Sequence, residues 1–126
     1  MLKTVPILGT LVLIGAIVQV ALGLEISWAG MDSLRGVHAS IGIAGLILVI
    51  GLTVIALRTK TASIYSKITI IVLVVLVLIQ VGLGMELLGG ADALGVSHEA
   101  NGILIVILSL VTGGLTMQHA RHQKTT

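Results

Sequence analysis

Four long apolar stretches, separated by short polar connections, dominate the chain. They run from Val5 to Leu24, from Val37 to Leu57, from Ile68 to Met85 and from Ala100 to Gln118. A helix needs about 20 apolar residues to cross a bilayer, and backbone groups in lipid must pair within their own segment. No alternation of polar and apolar residues over strand lengths is present. The pattern predicts an all-α integral membrane protein with four transmembrane helices.

Composition supports this prediction, since 56% of the 126 residues are hydrophobic and 10% are charged, against about 25% charged in soluble domains. A soluble enzyme, a nucleic-acid-binding protein and a disordered tail are therefore excluded, and the lipid bilayer is the first expected partner. The first span is too long for a signal-peptide core, so we expect it to be retained. The chain has no cysteine, which excludes disulfides, iron–sulfur clusters and covalent haem attachment.

The few charges are sorted along the chain. Basic residues lie at the two termini and in the second connection, at Lys3, Arg58, Lys60, Lys67, Arg121 and Lys124, and only Arg35 breaks this pattern. All the acids lie in or beside the first and third connections, at Glu25, Asp32, Glu86, Asp92 and Glu99. The positive-inside rule then predicts a multi-pass protein of the cell membrane with cytoplasmic termini and extracytoplasmic hairpin loops. The aromatic residues Trp28 and Tyr65 are expected near opposite interfaces.

The two halves of the chain are copies of each other. The segment 19–25 (QVALGLE) matches 80–86 (QVGLGME), and the polar or small residues of the next segment also recur in order. These later matches pair Asp32, Leu34, His38 and Gly42 with Asp92, Leu94, His98 and Gly102. We therefore predict a single membrane domain of two tandem hairpins, 5–57 and 66–117, in a pseudo-twofold bundle, followed by a cytoplasmic tail, 119–126.

A pair of histidines carries the candidate chemistry. His38 and His98 open the second and fourth spans at equivalent positions, and ionisable residues at membrane depth are costly and usually functional. Facing helices of a bundle commonly hold a metal or haem in this way. Two imidazoles complete the axial positions of a haem iron, whereas zinc or copper sites normally need three or four ligands. The sequence favours haem; the alternative is a pair of solvated interfacial histidines.

Glycines and glutamines accompany the histidines at regular spacing. Gly42 and Gly102 follow the histidines at i+4 and so share their helix faces, which leaves room for a porphyrin. The pairs Gln19–Gly23 and Gln80–Gly84 repeat this spacing on the first and third spans. A glutamine there can hydrogen-bond a ligating imidazole or a haem propionate. Glycine also lets helices approach closely in lipid, and the sequence does not separate the two uses.

Three charged residues near the predicted site have two interpretations each. Glu25 and Glu86 are candidate catalytic proton acceptors, or they mark the outer ends of the first and third helices. Arg35 can pair with a haem propionate or with Asp32 at the surface. His119 lies in the basic tail and is interpreted as solvated.

The chain resembles one four-helix half of the haem A synthase family. The resemblance rests on Gln80 to Gly84 and Gly89-Gly90 followed by His98, and on the matching stretch from Gln19 to His38; it covers residues 5–117. It implies that His38 and His98 are axial ligands of one haem, as in the compact half-sized members known in archaea. The catalytic half of that family carries a glutamate one turn before the second-helix histidine. Arg35 stands there instead, so this chain is closer to the half with a permanent b-type haem.

These features predict a haem-binding membrane protein active in electron transfer or in the oxidation of haem O to haem A. Expected partners are a second copy of the chain, which would rebuild eight helices, a respiratory-chain protein, a quinone or another redox protein. Two haem-free alternatives remain. One is a small proton-coupled transporter that uses Glu25, and the other is a structural subunit of a respiratory membrane complex.

Overall fold

Four long helices make up the computed structural model, which describes residues 4–59 and 63–122, the side chains of 119–122 excepted. The helices are α1 (Thr4–Ala29), α2 (Arg35–Arg58), α3 (Ile64–Leu88) and α4 (Gly95–His122). Short 3₁₀ turns, Asp32–Leu34 and Asp92–Leu94, precede α2 and α4. All four helices are long and apolar enough to cross a membrane. The predicted all-α membrane protein with four spans is confirmed.

The helices form an up-and-down bundle. Helix α1 packs against α2 and α4, and helix α3 packs against the same two, whereas the described parts of α2 and α4 make no close backbone contact. The α2 and α4 helices are thus diagonal across the bundle. We call the end that carries connections 30–34 and 89–94 the hairpin end, and the end that carries both chain termini the terminal end.

The helices extend beyond the spans predicted from hydrophobicity. Helix α4 begins at Gly95 and continues to His122, so the first residues of the predicted tail are helical. The Ser63 side chain accepts a hydrogen bond from the Ser66 backbone N–H at 3.1 Å, which caps the start of α3. Such caps lie outside the apolar stretches, which is why hydropathy underestimates helix length.

Both hairpin connections are built alike. Gly30 and Gly90 have positive φ angles, 67° and 95°, and each is followed by a 3₁₀ turn that begins at an aspartate. The backbone N–H of Met31 donates to the carbonyl of Glu25, six residues back. In the second repeat, Ala91 donates to Glu86, only five residues back. The residue missing from the second repeat was therefore lost between the end of the helix and the 3₁₀ turn.

The packed core lies between the terminal end and the middle of the bundle. Its buried apolar residues are Val5, Val12, Val49, Leu52, Ala56, Ile70, Leu73, Val77 and Ile105. Helix α4 adds buried hydroxyl groups to the same region, at Ser109, Thr112 and Thr116. The hairpin half of the bundle contains no comparable apolar core among the described residues, because a cavity occupies it.

Candidate cofactor site

A cavity of about 570 Å³ extends from the middle of the bundle to the hairpin end, and all four helices line it. Its volume lies within the range of about 300–1,000 Å³ that small-molecule and cofactor sites occupy. Small residues such as Gly15, Ala39, Ala44 and Gly45 form much of the wall beside the two histidines. The cavity is therefore wide because the sequence places glycine and alanine where larger side chains would fill it.

His38 and His98 face each other across this cavity from the diagonal helices α2 and α4. Their ring centres are 5.9 Å apart, and the ring planes make an angle of 60°. The Nδ1 atom of each ring is buried and has no hydrogen-bond partner among the described residues. Buried polar atoms are rarely left unpaired. Two such atoms in one cavity are available to a bound group or to water.

Four glycines, each four residues after a Gln or His, let the two helices of each hairpin pack closely. A Cβ atom added at Gly23 would lie 3.5 Å from Cε1 of His38, and one at Gly84 would lie 3.2 Å from Cε1 of His98. In the opposite direction, a Cβ at Gly42 would lie 2.7 Å from Nε2 of Gln19. Gly102 and Gln80 repeat this contact at 3.3 Å. Each glycine thus leaves space that a His or Gln side chain of the neighbouring helix occupies.

The glutamines hold the two histidines in different ways. Gln19 donates from Nε2 to the backbone carbonyl of His38 at 2.9 Å, whereas Nε2 of Gln80 lies 3.1 Å from the ring Nε2 of His98. Asn101 joins the second arrangement, with Nδ2 donating to Oε1 of Gln80 at 2.7 Å and to the carbonyl of Leu76 at 2.9 Å. Sequence reasoning did not select Asn101. It is the only asparagine in the chain and lies in an apolar span. That position is the feature of the sequence that could have identified it as a site residue.

Polar side chains surround the mouth of the cavity at the hairpin end. Arg35 donates from Nε to Oδ1 of Asp32 at 2.8 Å, which is the surface pairing considered for it, and it also lines the cavity. On the other side, the Ser27 hydroxyl donates to Oε1 of Glu99 at 2.6 Å. Glu99 and Asp92 line the cavity as well. The mouth therefore carries one base and two acids, and Glu99 is a polar group that the sequence analysis does not single out for the site.

The predicted site residues divide into two groups. His38, His98, Gln19, Gln80, Gly23, Gly42, Gly84 and Arg35 line one cavity. Gly102 lies behind Gln80, and the two candidate catalytic acids, Glu25 and Glu86, are exposed and outside the described cavity wall. The side chains of His119 and Arg121, and the basic residues at positions 3, 60 and 124, lie outside the described part of the chain.

The donor set fits a haem better than a bare metal ion. Imidazole nitrogens bind a transition metal at about 2.0–2.1 Å, so two rings on one metal have centres about 6 Å apart. The observed ring spacing is close to that value. Within residues 4–59 and 63–122, no group of three or more His, Cys, Asp or Glu side chains could hold a metal ion. A porphyrin supplies the remaining ligands itself and needs only the two axial ones from protein.

Comparisons of the chain with protein-family models, with curated proteins and with solved structures gave no significant match.

Proposed function

We propose that this protein binds one b-type haem between His38 and His98 in the hairpin half of the membrane bundle and uses it to transfer electrons. The observation that carries the proposal is the histidine pair. Two imidazoles with buried, unpaired Nδ1 atoms lie 5.9 Å apart on diagonal helices, in a cavity lined by all four helices. No other pair of ligating side chains in the described cavity wall has this arrangement.

The chain's own residues have distinct roles in this proposal. His38 and His98 would hold the haem iron, and Gln80 contacts Nε2 of His98 in the haem-free chain. Gly23 and Gly84 let the imidazoles lie against the neighbouring helices. Apolar residues toward the middle of the cavity, such as Val49 and Ile105, exclude water from its deeper end. A haem held by two imidazoles would supply reversible one-electron chemistry.

Electron transfer is favoured over oxidation of the haem substituents by the charges around the site. The position one turn before His38 is Arg35, which is paired with Asp32. Glu25 and Glu86 are exposed and outside the described cavity wall, so neither is positioned as a proton acceptor there. Glu99 lines the mouth and accepts a hydrogen bond from Ser27. The resemblance to the permanent-haem half of the haem A synthase family agrees with this assignment.

Optical spectroscopy of single-site variants tests the proposal. Protein purified from membranes of a haem-replete host should show a reducible, low-spin b-type spectrum. Replacing either ligand, by His38→Ala or His98→Ala, should abolish the low-spin spectrum because one axial position loses its nitrogen. The His119→Ala variant is the matched control, since it also removes one imidazole, and it should leave the spectrum unchanged. A low-spin spectrum that persists in both ligand variants would show that other groups bind the haem.

A further inference from the structure

The two histidines are equivalent in the repeat but not in their hydrogen bonding. The backbone carbonyl of Leu76 is a fixed acceptor, so the Asn101 atom 2.9 Å from it must be the amide nitrogen. The same nitrogen lies 2.7 Å from Gln80. An NH₂ group has two hydrogens and no acceptor, so the Gln80 atom that faces Asn101 must be the carbonyl oxygen.

The orientation of Gln80 then fixes the protonation of His98. With its oxygen turned to Asn101, Gln80 presents its NH₂ group to Nε2 of His98 at 3.1 Å. That ring nitrogen must accept, so the proton of the neutral imidazole is on Nδ1. The opposite orientation of Gln80 would bring two NH₂ groups face to face. A single backbone carbonyl thus determines, through two amides, which tautomer His98 adopts.

The first repeat lacks this chain of hydrogen bonds. The position equivalent to Asn101 is Ile41, which cannot donate a hydrogen bond. Oε1 of Gln19 is accordingly buried with no partner among the described residues. The NH₂ group of Gln19 donates to the backbone carbonyl of His38 rather than to its ring. Nothing in the described structure therefore selects a tautomer for His38 or holds its ring by a hydrogen bond.

We propose that Asn101 is a positioning residue that acts through Gln80 to hold His98 as the Nδ1–H tautomer, which makes His38 the permanent haem ligand and His98 the exchangeable one. The ligand order rests on the proposed function, whereas the tautomer assignment does not. In this tautomer Nδ1 of His98 carries the proton and the Nε2 lone pair accepts from Gln80, so His98 must give up that hydrogen bond before it binds iron. His38 has no ring hydrogen bond to give up among the described residues.

Nitrogen NMR of the haem-free protein labelled with ¹⁵N-histidine tests the tautomer. His98 should appear as the Nδ1–H form in the wild type and as a mixture of tautomers in Asn101→Ile, which copies the first repeat. The matched control is Ile41→Asn, the reverse change at the equivalent position, which should leave His98 unchanged. If Asn101→Ile fails to fold, Asn101→Ser removes the same amide from a smaller side chain. An Nε2–H form of His98 in the wild type would overturn the assignment without any variant.

Haem titration tests the ligand order separately. His98→Ala should retain haem through His38 with a high-spin spectrum, whereas His38→Ala should lose it. Asn101→Ile should lower the haem dissociation constant about five-fold, the value of the one hydrogen bond that His98 then no longer has to give up, and Ile41→Asn should leave it unchanged. Equal loss of haem from the two histidine variants would overturn the ligand order. Absence of haem binding by the wild type would overturn the proposed function and this order, but not the tautomer result.

Discussion

At the residue scale, spacing predicted which side chains share a helix face but not what fills the space beside them. The i+4 spacing of His98 and Gly102 placed both on one face of α4, and the structure agrees. What lies against Gly102 is Gln80 of helix α3, which no spacing within α4 can reveal. The same holds for Asn101, because its role depends on a carbonyl oxygen of the neighbouring helix. Contacts between helices are set by packing, which a single sequence does not specify.

The close contact at Gly84 gives the first prediction. In Gly84→Ala, the new Cβ would lie 3.2 Å from Cε1 of His98, so the imidazole must shift by a few tenths of an ångström. The fit of the His98 ring against α3, which places the ring in the cavity, should be disturbed as a result. Overpacking that costs about 1 kcal/mol in the placement of this ligand corresponds to about a five-fold rise in the haem dissociation constant, measurable by titration of the haem-free protein.

Gly82→Ala is the control for that substitution. Gly82 is on the same helix, and an added Cβ there meets no atom within 4 Å. Its haem dissociation constant should equal that of the wild type. If both alanine variants bind haem equally well, the close fit between His98 and α3 has no part in binding.

At the element scale, the apolar pattern predicted the number and order of the helices and the repeat that relates them. It did not predict their ends, because hydrogen-bonded caps and turn geometry end a helix. The Ser63 cap and the left-handed Gly30 both lie in polar connections. The equivalence of the two hairpins could be recognised in the sequence because polar residues recur in the same order in both halves. The backbone hydrogen bond after the helix reaches back six residues from Met31 but five from Ala91. This difference shows where one residue was lost.

The turn at Gly30 gives the second prediction. Its φ of 67° lies in the left-handed region, which costs an L-residue with a Cβ about 1–2 kcal/mol. Gly30→Ala should therefore lower the free energy of unfolding by about that amount. Gly30→Asn should lower it less, since asparagine tolerates this conformation. Thermal unfolding in detergent, followed by circular dichroism, measures both.

The comparison variant for the turn is Gly36→Ala in helix α2. An added Cβ at Gly36 meets nothing within 4 Å, and alanine is a better helix former than glycine by about 1 kcal/mol. The stability of this variant should equal or exceed that of the wild type. Equal stability of Gly30→Ala and Gly36→Ala would mean that the turn does not need glycine.

At the scale of the whole molecule, the bundle separates a packed half from a hollow half. The buried apolar residues lie from the middle toward the terminal end, and the cavity lies toward the hairpin end. Composition could predict insertion into a membrane, but it could not predict this division, because glycines are spread over both halves. The division arises because small residues of all four helices line the cavity, most of them on α1 and α2.

Charge placement gives the third prediction, which concerns orientation. Arg58 and Lys67 lie at the terminal end, and Arg35 is the one basic residue at the hairpin end, so the positive-inside rule predicts that the hairpin end lies outside the cytoplasm. The chain has no cysteine, so each single-cysteine variant carries one thiol. Ser33→Cys should react with a membrane-impermeant maleimide in intact cells.

Ile64→Cys, at the terminal end of α3 and itself exposed, is the matched variant and should react only after the cells are permeabilised. Reversed accessibility of these two thiols would show that the hairpin end, with the cavity mouth, faces the cytoplasm.

The central claim is that the histidine pair holds a haem, and the haem content of the purified protein tests it most directly. The porphyrin should be extracted, identified by mass and quantified against the polypeptide. We predict one iron protoporphyrin IX per chain in the wild type and none in the double variant His38→Ala/His98→Ala. A wild-type protein purified from haem-replete membranes without stoichiometric haem would contradict the account, as would a double variant that still carries it.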